Sequence, residues 1–210
     1  MIDPRLYLVT EPHPRLADVV AAAVRGGATL VQLRDKTAEP HERSDRLDAV
    51  RAVTAARGVP LVVNDDIELA ARADGVHVGL DDVSPREARA ALGPDAIVGW
   101  SVNDLAQLDD HEQLAACTYL AASPVFATGT KPDHTAPWGL AGVRRLADRS
   151  PLPVVAIGGI DTANAGEVIA AGAAGVCVVS AICRADDPFE AARALRAAVD
   201  ERRRDLEGAR

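Results

Sequence analysis

Gln32, Arg34 and Lys36 alternate along one short stretch, Gln32-Leu33-Arg34-Asp35-Lys36. An amide and two cations on one side of a strand end suit an anion, although a solvated turn with a surface ion pair would use the same residue types. Two acidic pairs follow, in Asn64-Asp65-Asp66 and Gly79-Leu80-Asp81-Asp82. One such pair serves equally well as a helix N-cap. Two pairs on adjacent strand ends would bring carboxylates within reach of one hard cation. Mg²⁺, with most of its shell left open for a phosphate, is the reading that fits. Nothing has the spacing of a zinc or iron–sulfur site.

Further donors recur along the chain. Trp100-Ser101-Val102-Asn103 offers a hydroxyl that could cap a helix or meet a phosphate. The long segment from Ser123 to Asp133 carries Thr128, Thr130 and Lys131 within four residues, a donor-rich loop suited to anions. Gly158-Gly159-Ile160-Asp161 and Val179-Ser180-Ala181-Ile182 have the character of a phosphate site built from backbone N–H groups at the starts of short helices. Two anion sites are thus expected: one metal-assisted, with Lys131 reaching in, the other metal-free. No Ser-His-Asp set, reactive cysteine or Schiff-base lysine is evident, and His77 reads as a satisfied barrel histidine. The chemistry should then rest on positioning and leaving-group stabilisation.

The elements that must position these residues recur regularly. Short β-rich runs fall at Leu6–Thr10, Leu30–Leu33, Leu61–Asn64, Val76–Val78, Ala96–Trp100, Tyr119–Ala121, Val154–Ile157 and Gly175–Val179. Alanine-rich helical stretches alternate with them: Leu16–Arg25, Arg43–Arg57, Pro85–Leu92, Leu105–Leu114, Ala141–Ala147 and Thr162–Ala170. A terminal surface helix is expected over Pro188–Arg204, about 187–205. Several strands are apolar on both faces, as parallel strands covered by helices must be. Strand midpoints lie about 24 residues apart, and eight such units predict an α/β fold, a single-domain (β/α)8 TIM barrel of parallel strands over residues 1–210. A doubly wound sheet would need only five or six strands. In the barrel, every segment named above falls at a C-terminal strand end, where barrel chemistry sits.

Composition removes several classes. The chain has 210 residues, 48% hydrophobic and 26% charged, with net charge −8. Acidic and aromatic-poor, it is a weak candidate for nucleic-acid binding. No apolar run is long enough for a membrane span, and MIDPRLYLVT lacks the order of a signal peptide. Three cysteines, Cys117, Cys177 and Cys183, fit a reducing compartment, so a cytoplasmic location is expected. Of 23 basic residues only Lys36 and Lys131 are lysine. A homo-oligomer is left open.

From Tyr7-Leu8-Val9-Thr10 to Val179-Ser180-Ala181-Ile182 the sequence resembles the thiamine phosphate synthase family. The ordered landmarks are Gln32-Leu33-Arg34-Asp35-Lys36, Val63-Asn64-Asp65-Asp66, Gly75-Val76-His77-Val78-Gly79 with Asp81-Asp82, Thr128-Gly129-Thr130-Lys131, and Gly158-Gly159-Ile160. The resemblance implies a transferase that joins hydroxymethylpyrimidine pyrophosphate to hydroxyethylthiazole phosphate, releasing thiamine phosphate and pyrophosphate by dissociative loss of pyrophosphate. It implies a pyrimidine contact at Gln32 and a pyrophosphate shell of Arg34, Lys36, Asn64, Ser101 and Lys131. Asp65 and Asp82 resemble ligands of one Mg²⁺ per subunit, leaving Asp66 and Asp81 as supporting or capping residues. Thr128, Thr130, Gly159, Val179 and Ser180 resemble the thiazole-phosphate contacts. Ser123 and Ala127 stand where the family commonly has glycine and a second proline, respectively. The competing readings are a thiazole-tautomerase-like protein and a non-catalytic thiazole-phosphate-binding barrel. Neither would need the full pyrophosphate and metal set.

Overall fold

A computed structural model describes residues 2–127 and 136–209. Eight strands pair in sequence order, each parallel to the next: β1 (Leu6–Val9), β2 (Leu30–Leu33), β3 (Leu61–Asn64), β4 (Gly75–Val78), β5 (Ile97–Val102), β6 (Tyr119–Ala122), β7 (Val154–Ile157) and β8 (Gly175–Val178). β8 returns to pair with β1, closing the barrel. The expected (β/α)8 barrel is therefore the observed one. Helices α1 (Leu16–Arg25), α2 (Pro40–Ala55), α3 (Ile67–Ala70), α4 (Pro85–Leu92), α5 (His111–Ala116), α6 (Gly139–Arg149), α7 (Ala165–Ala170), α8 (Ser180–Cys183) and α9 (Pro188–Gly208) accompany the strands.

Strand alternation splits the core in two. Leu6, Leu8, Val31, Leu33, Val63, Val76 and their counterparts face outward into the layer beneath the helices. There the apolar stripe of α1 (Leu16, Val19, Val20, Ala23 and Val24) is buried. The alternate positions fill the barrel: Tyr7, Val9, Leu30, Val62, Ile97, Tyr119, Ala121, Val155 and Cys177. Gln32, Asn64, His77 and Ser101 fall on the same inward alternation, nearer the C-terminal rim.

Caps set several helix starts. α2 begins with Pro40 behind a Glu39–Glu42 capping box, and α4 with Pro85 behind a Ser84–Glu87 box. The stretch expected as one helix from Leu105 to Leu114 is instead a 3-10 turn, Leu105–Asp109, followed by α5. Asp110 divides them, accepting from the Gln113 N–H as the cap of α5. The helix expected from Thr162 starts at Ala165, and α3 and α8 are additional short turns. β5 runs to Val102, two residues past its expected end, so Ser101 lies within the strand.

Candidate active site

A cavity of about 120 Å³ opens at the C-terminal mouth of the barrel. Gln32, Arg34, Asn64, His77 and Ser101 line one side; Gly158, Gly159, Val179 and Ser180 line the other. Tyr7, Val9, Ala121 and Cys177 lie along it from the inner layer. Of the expected residues, Gln32, Arg34, Asn64, Ser101, Gly159, Val179 and Ser180 thus share one space. Thr128, Thr130 and Lys131 lie outside the described residues.

A chain of hydrogen bonds crosses the barrel beneath the mouth. Gln32 Nε2 donates to the Tyr7 hydroxyl at 2.6 Å, and the Tyr7 and Tyr119 hydroxyls are 2.8 Å apart. The Tyr119 hydroxyl is 3.0 Å from His77 Nδ1, and His77 Nε2 is 3.0 Å from Ser101 Oγ. Tyr119 meets Tyr7 edge-on and stacks on the His77 ring. Burial pushes both phenols well above their usual range, so each keeps its proton. Gly99 makes room, since a Cβ there would collide with the Tyr119 ring and hydroxyl and lie 2.6 Å from His77 Nδ1. His77 is satisfied, as expected, but it also links two tyrosines to Ser101. Ser101 does not cap the following turn; Asp104 does, accepting from the Ala106 N–H.

Arg34 is held by its backbone, whose N–H donates to Thr10 Oγ1 at 3.0 Å. Its Nε is buried with no hydrogen-bond partner among the described residues. A guanidinium N–H so placed favours an anionic acceptor.

Lys36 departs from the expected alternation. β2 ends at Leu33, and Asp35 then accepts from the N–H groups of Thr37 and Ala38 and from Thr37 Oγ1. That turn carries Lys36 out of the central cavity into an adjoining space of about 240 Å³, also lined by Asn64, Asp65, Asp66, Arg43 and Arg46. Asn64 lines both spaces. Lys36 Nζ is 3.0 Å from Asp65 Oδ2. Arg43 pairs with Asp66 at 3.2 Å and Arg46 pairs with the buried Asp35. Two arginines of α2 thereby hold the sequence neighbours of Lys36 and Asp65.

Asp65 has φ 56°, a left-handed conformation that costs a non-glycine residue energy. It turns the chain sharply off β3, so that Asp66 can cap α3 by accepting from the Leu69 N–H at 2.9 Å. Asp82 accepts from the Gly79 N–H at 2.7 Å. Asp81 is exposed. Among the described residues no group of three or more His, Cys, Asp and Glu stands together as a metal cluster.

On the opposite wall, Gly158 and Gly159 have φ 109° and 66°. A Cβ on Gly159 would lie 2.8 Å from Phe126 Cβ, so only glycine fits this turn against the β6 loop. All three cysteines are buried and none forms a disulfide. Burial pushes the Cys117 thiol up to about 12 and the Cys183 thiol up to about 11, so neither is a thiolate nucleophile near neutral pH.

Sequence reasoning missed Tyr7, Tyr119, Gly99, Arg43 and Arg46. The chain's two tyrosines stand at inward positions of their strands, a signal that becomes readable once the barrel register is known.

Fold and cavity define a (β/α)8 barrel with its candidate site at the C-terminal strand ends. The family model for thiamine monophosphate synthase matches residues 6–182. A thiamine-phosphate synthase of Xanthobacter autotrophicus is 49% identical over 203 residues, covering 94% of this chain and 96% of that protein. One from Albidiferax ferrireducens is 46% identical over 202 residues, covering 93% and 92%. The solved thiamine phosphate pyrophosphorylase of Pyrococcus furiosus superposes with a TM-score of 0.84 at 34% identity, covering 95% of this chain and 97% of that one. The chain belongs to the thiamine monophosphate synthase family, and with it to the transferases of thiamine biosynthesis. Among the described residues no helix is long and apolar enough to cross a membrane.

Proposed function

We propose that this protein condenses hydroxymethylpyrimidine pyrophosphate with hydroxyethylthiazole phosphate to give thiamine phosphate and pyrophosphate. The observation that carries the reading is one cavity that joins Gln32, Arg34, Asn64 and Ser101 to Gly159, Val179 and Ser180, with Lys36 and Asp65 adjacent. A heterocycle has a polar partner at Gln32. A pyrophosphate has Arg34, Lys36, Asn64 and Ser101 within one connected region, and the motif assigns Lys131 to that group and Thr128 and Thr130 to the thiazole phosphate. The thiazole phosphate is assigned to the backbone N–H groups around Gly159, Val179 and Ser180.

The bond from the pyrimidine methylene to the pyrophosphate oxygen breaks first, and the electron pair leaves with pyrophosphate. The aminopyrimidine spreads the positive charge left on the methylene carbon. The thiazole nitrogen then supplies its lone pair to form the new C–N bond. Arg34 and Lys36 balance the charge gathering on the leaving oxygens, and no side-chain nucleophile is required. Closing the two substrates into one cavity supplies the orientation.

Asp65 and Asp82 would hold one Mg²⁺. The fit is chemical: both donors are carboxylate oxygens, they follow adjacent strands, and Lys36 rests against Asp65 where a cation is welcome. When bound, Mg²⁺ adds charge neutralisation at the departing pyrophosphate. Two carboxylates suffice for this ion because water and phosphate oxygens complete its shell.

The test supplies both precursors to the purified protein and quantifies both products. Equal amounts of thiamine phosphate and pyrophosphate are expected. Thiazole isomerisation alone, or binding without turnover, would overturn the reading.

A further inference from the structure

Gln32 and Ser101 sit on different strands, yet the Tyr7–Tyr119–His77 chain connects them without a gap. Such a chain has a direction. Each phenol has one proton to give, and a neutral imidazole has one N–H and one bare nitrogen. Gln32 donates its amide N–H to Tyr7, so the Tyr7 oxygen is an acceptor there. The proton of Tyr7 then goes to Tyr119, and that of Tyr119 to His77 Nδ1. The remaining imidazole N–H, on Nε2, goes to Ser101 Oγ. The Ser101 proton is then left for the cavity. Run the other way, Tyr7 would donate to Gln32, and the amide would have to turn its oxygen inward and its NH₂ toward the cavity.

We propose that Tyr7, Tyr119 and His77 are positioning residues whose one-way hydrogen-bond order leaves the Gln32 amide oxygen for the cavity, making the site select a heterocycle that offers an amino donor over its oxo counterpart. The proposal deepens the function proposed above and rests on it. It gives Gly99 a purpose, because a Cβ there would displace the Tyr119 hydroxyl from the middle of the chain. It also explains why two tyrosines and an imidazole occupy a barrel interior otherwise dominated by aliphatic side chains. Buried networks of this kind act as units, so loss of one link releases its neighbours. With Tyr119 removed, Tyr7 is free to donate to Gln32 and the amide can reverse.

The experiment compares calorimetric dissociation constants for two probes. They are the phosphate monoesters of the aminopyrimidine methanol and of the analogue whose amino group is replaced by oxo. Wild type should prefer the amino probe by about tenfold or more, as expected when a polar partner is left mismatched. Tyr119→Phe should compress that preference about tenfold by weakening the amino probe and strengthening the oxo probe. Tyr7→Phe, which removes the Gln32 partner directly, should do the same and serves if Tyr119→Phe does not fold. The ratio of the two constants is the readout because a merely structural lesion weakens both probes together. Equal weakening with an unchanged ratio in either folded variant would overturn the proposal. So would a wild type that makes thiamine phosphate but shows no amino preference. A wild type that binds neither probe would overturn the functional reading and this proposal together.

Discussion

Lys36 Nζ lies 3.0 Å from Asp65 Oδ2, at a point where one α2 arginine braces each partner's sequence neighbour. The pair joins a cation assigned to pyrophosphate with a carboxylate assigned to Mg²⁺. The ammonium is half exposed, so its worth as an exposed ion pair is small. Its value is then in what it meets during turnover. Lys36→Arg should lower kcat/KM about tenfold or more, because a planar guanidinium fork does not reproduce a compact ammonium at this spot. Steady-state kinetics at saturating Mg²⁺ checks this, and wild-type kinetics would remove Lys36 from the pyrophosphate shell.

Asp65→Asn and Asp82→Asn each remove one charge from the assigned cation site. Both should cut turnover at least about a hundredfold at limiting Mg²⁺ and raise the Mg²⁺ concentration needed for half-maximal rate. A Mg²⁺ titration of initial rates measures it. Near-wild-type titrations in both variants would refute the ligand assignment.

Gly159 combines φ 66° with close approach to Phe126 and Ala127. Gly159→Leu should weaken thiazole-phosphate binding about tenfold or more, measured by calorimetry on protein whose circular dichroism matches wild type. An unchanged constant would separate this turn from the thiazole-phosphate site.

Gly99→Ala should destabilise the barrel by about 1–3 kcal/mol or more through overpacking against Tyr119. Urea unfolding followed by circular dichroism reads the difference. Unaltered stability would mean that the Tyr119 ring has another place to go.

Burial holds the Cys117 and Cys183 thiols up at about 12 and about 11 against an ordinary value of 9.0. Between about 9 and these values the unfolded chain loses thiol protons that the folded chain keeps. The folded state then binds more protons, so this contribution to stability is present below pH 9 and lost as pH rises. Urea midpoints should fall from pH 9 to 11, and Cys117→Ala with Cys183→Ala should flatten that slope. An equally steep slope in the double variant would assign it to other groups.

The barrel was legible because each strand carries the same two-sided apolar pattern at a regular interval. The strand-end polar groups were legible because a barrel assigns a function to that end. Alternation placed Gln32 and Arg34 at the cavity, since they lie in or next to β2. It failed at Lys36, where the Asp35 side chain builds a turn and strand periodicity no longer holds. Ser101 was placed after β5 because Trp100 looked like its end, whereas pairing with β6 extends the strand to Val102. The Tyr7–Tyr119–His77 chain depends on contacts 42 and 112 residues apart in sequence, which no local pattern encodes. The same holds for Arg43 and Arg46, whose helical spacing says only that they share a face.

Parallel assays with Mg²⁺ and with EDTA test metal-assisted loss of pyrophosphate most directly. Both contain the protein, the pyrimidine pyrophosphate and the thiazole phosphate, and thiamine phosphate is measured over time. Steady formation with Mg²⁺, near-complete loss with EDTA, and recovery when excess Mg²⁺ is restored are expected. Equal rates in the two samples, or no thiamine phosphate in either, would contradict metal-assisted loss.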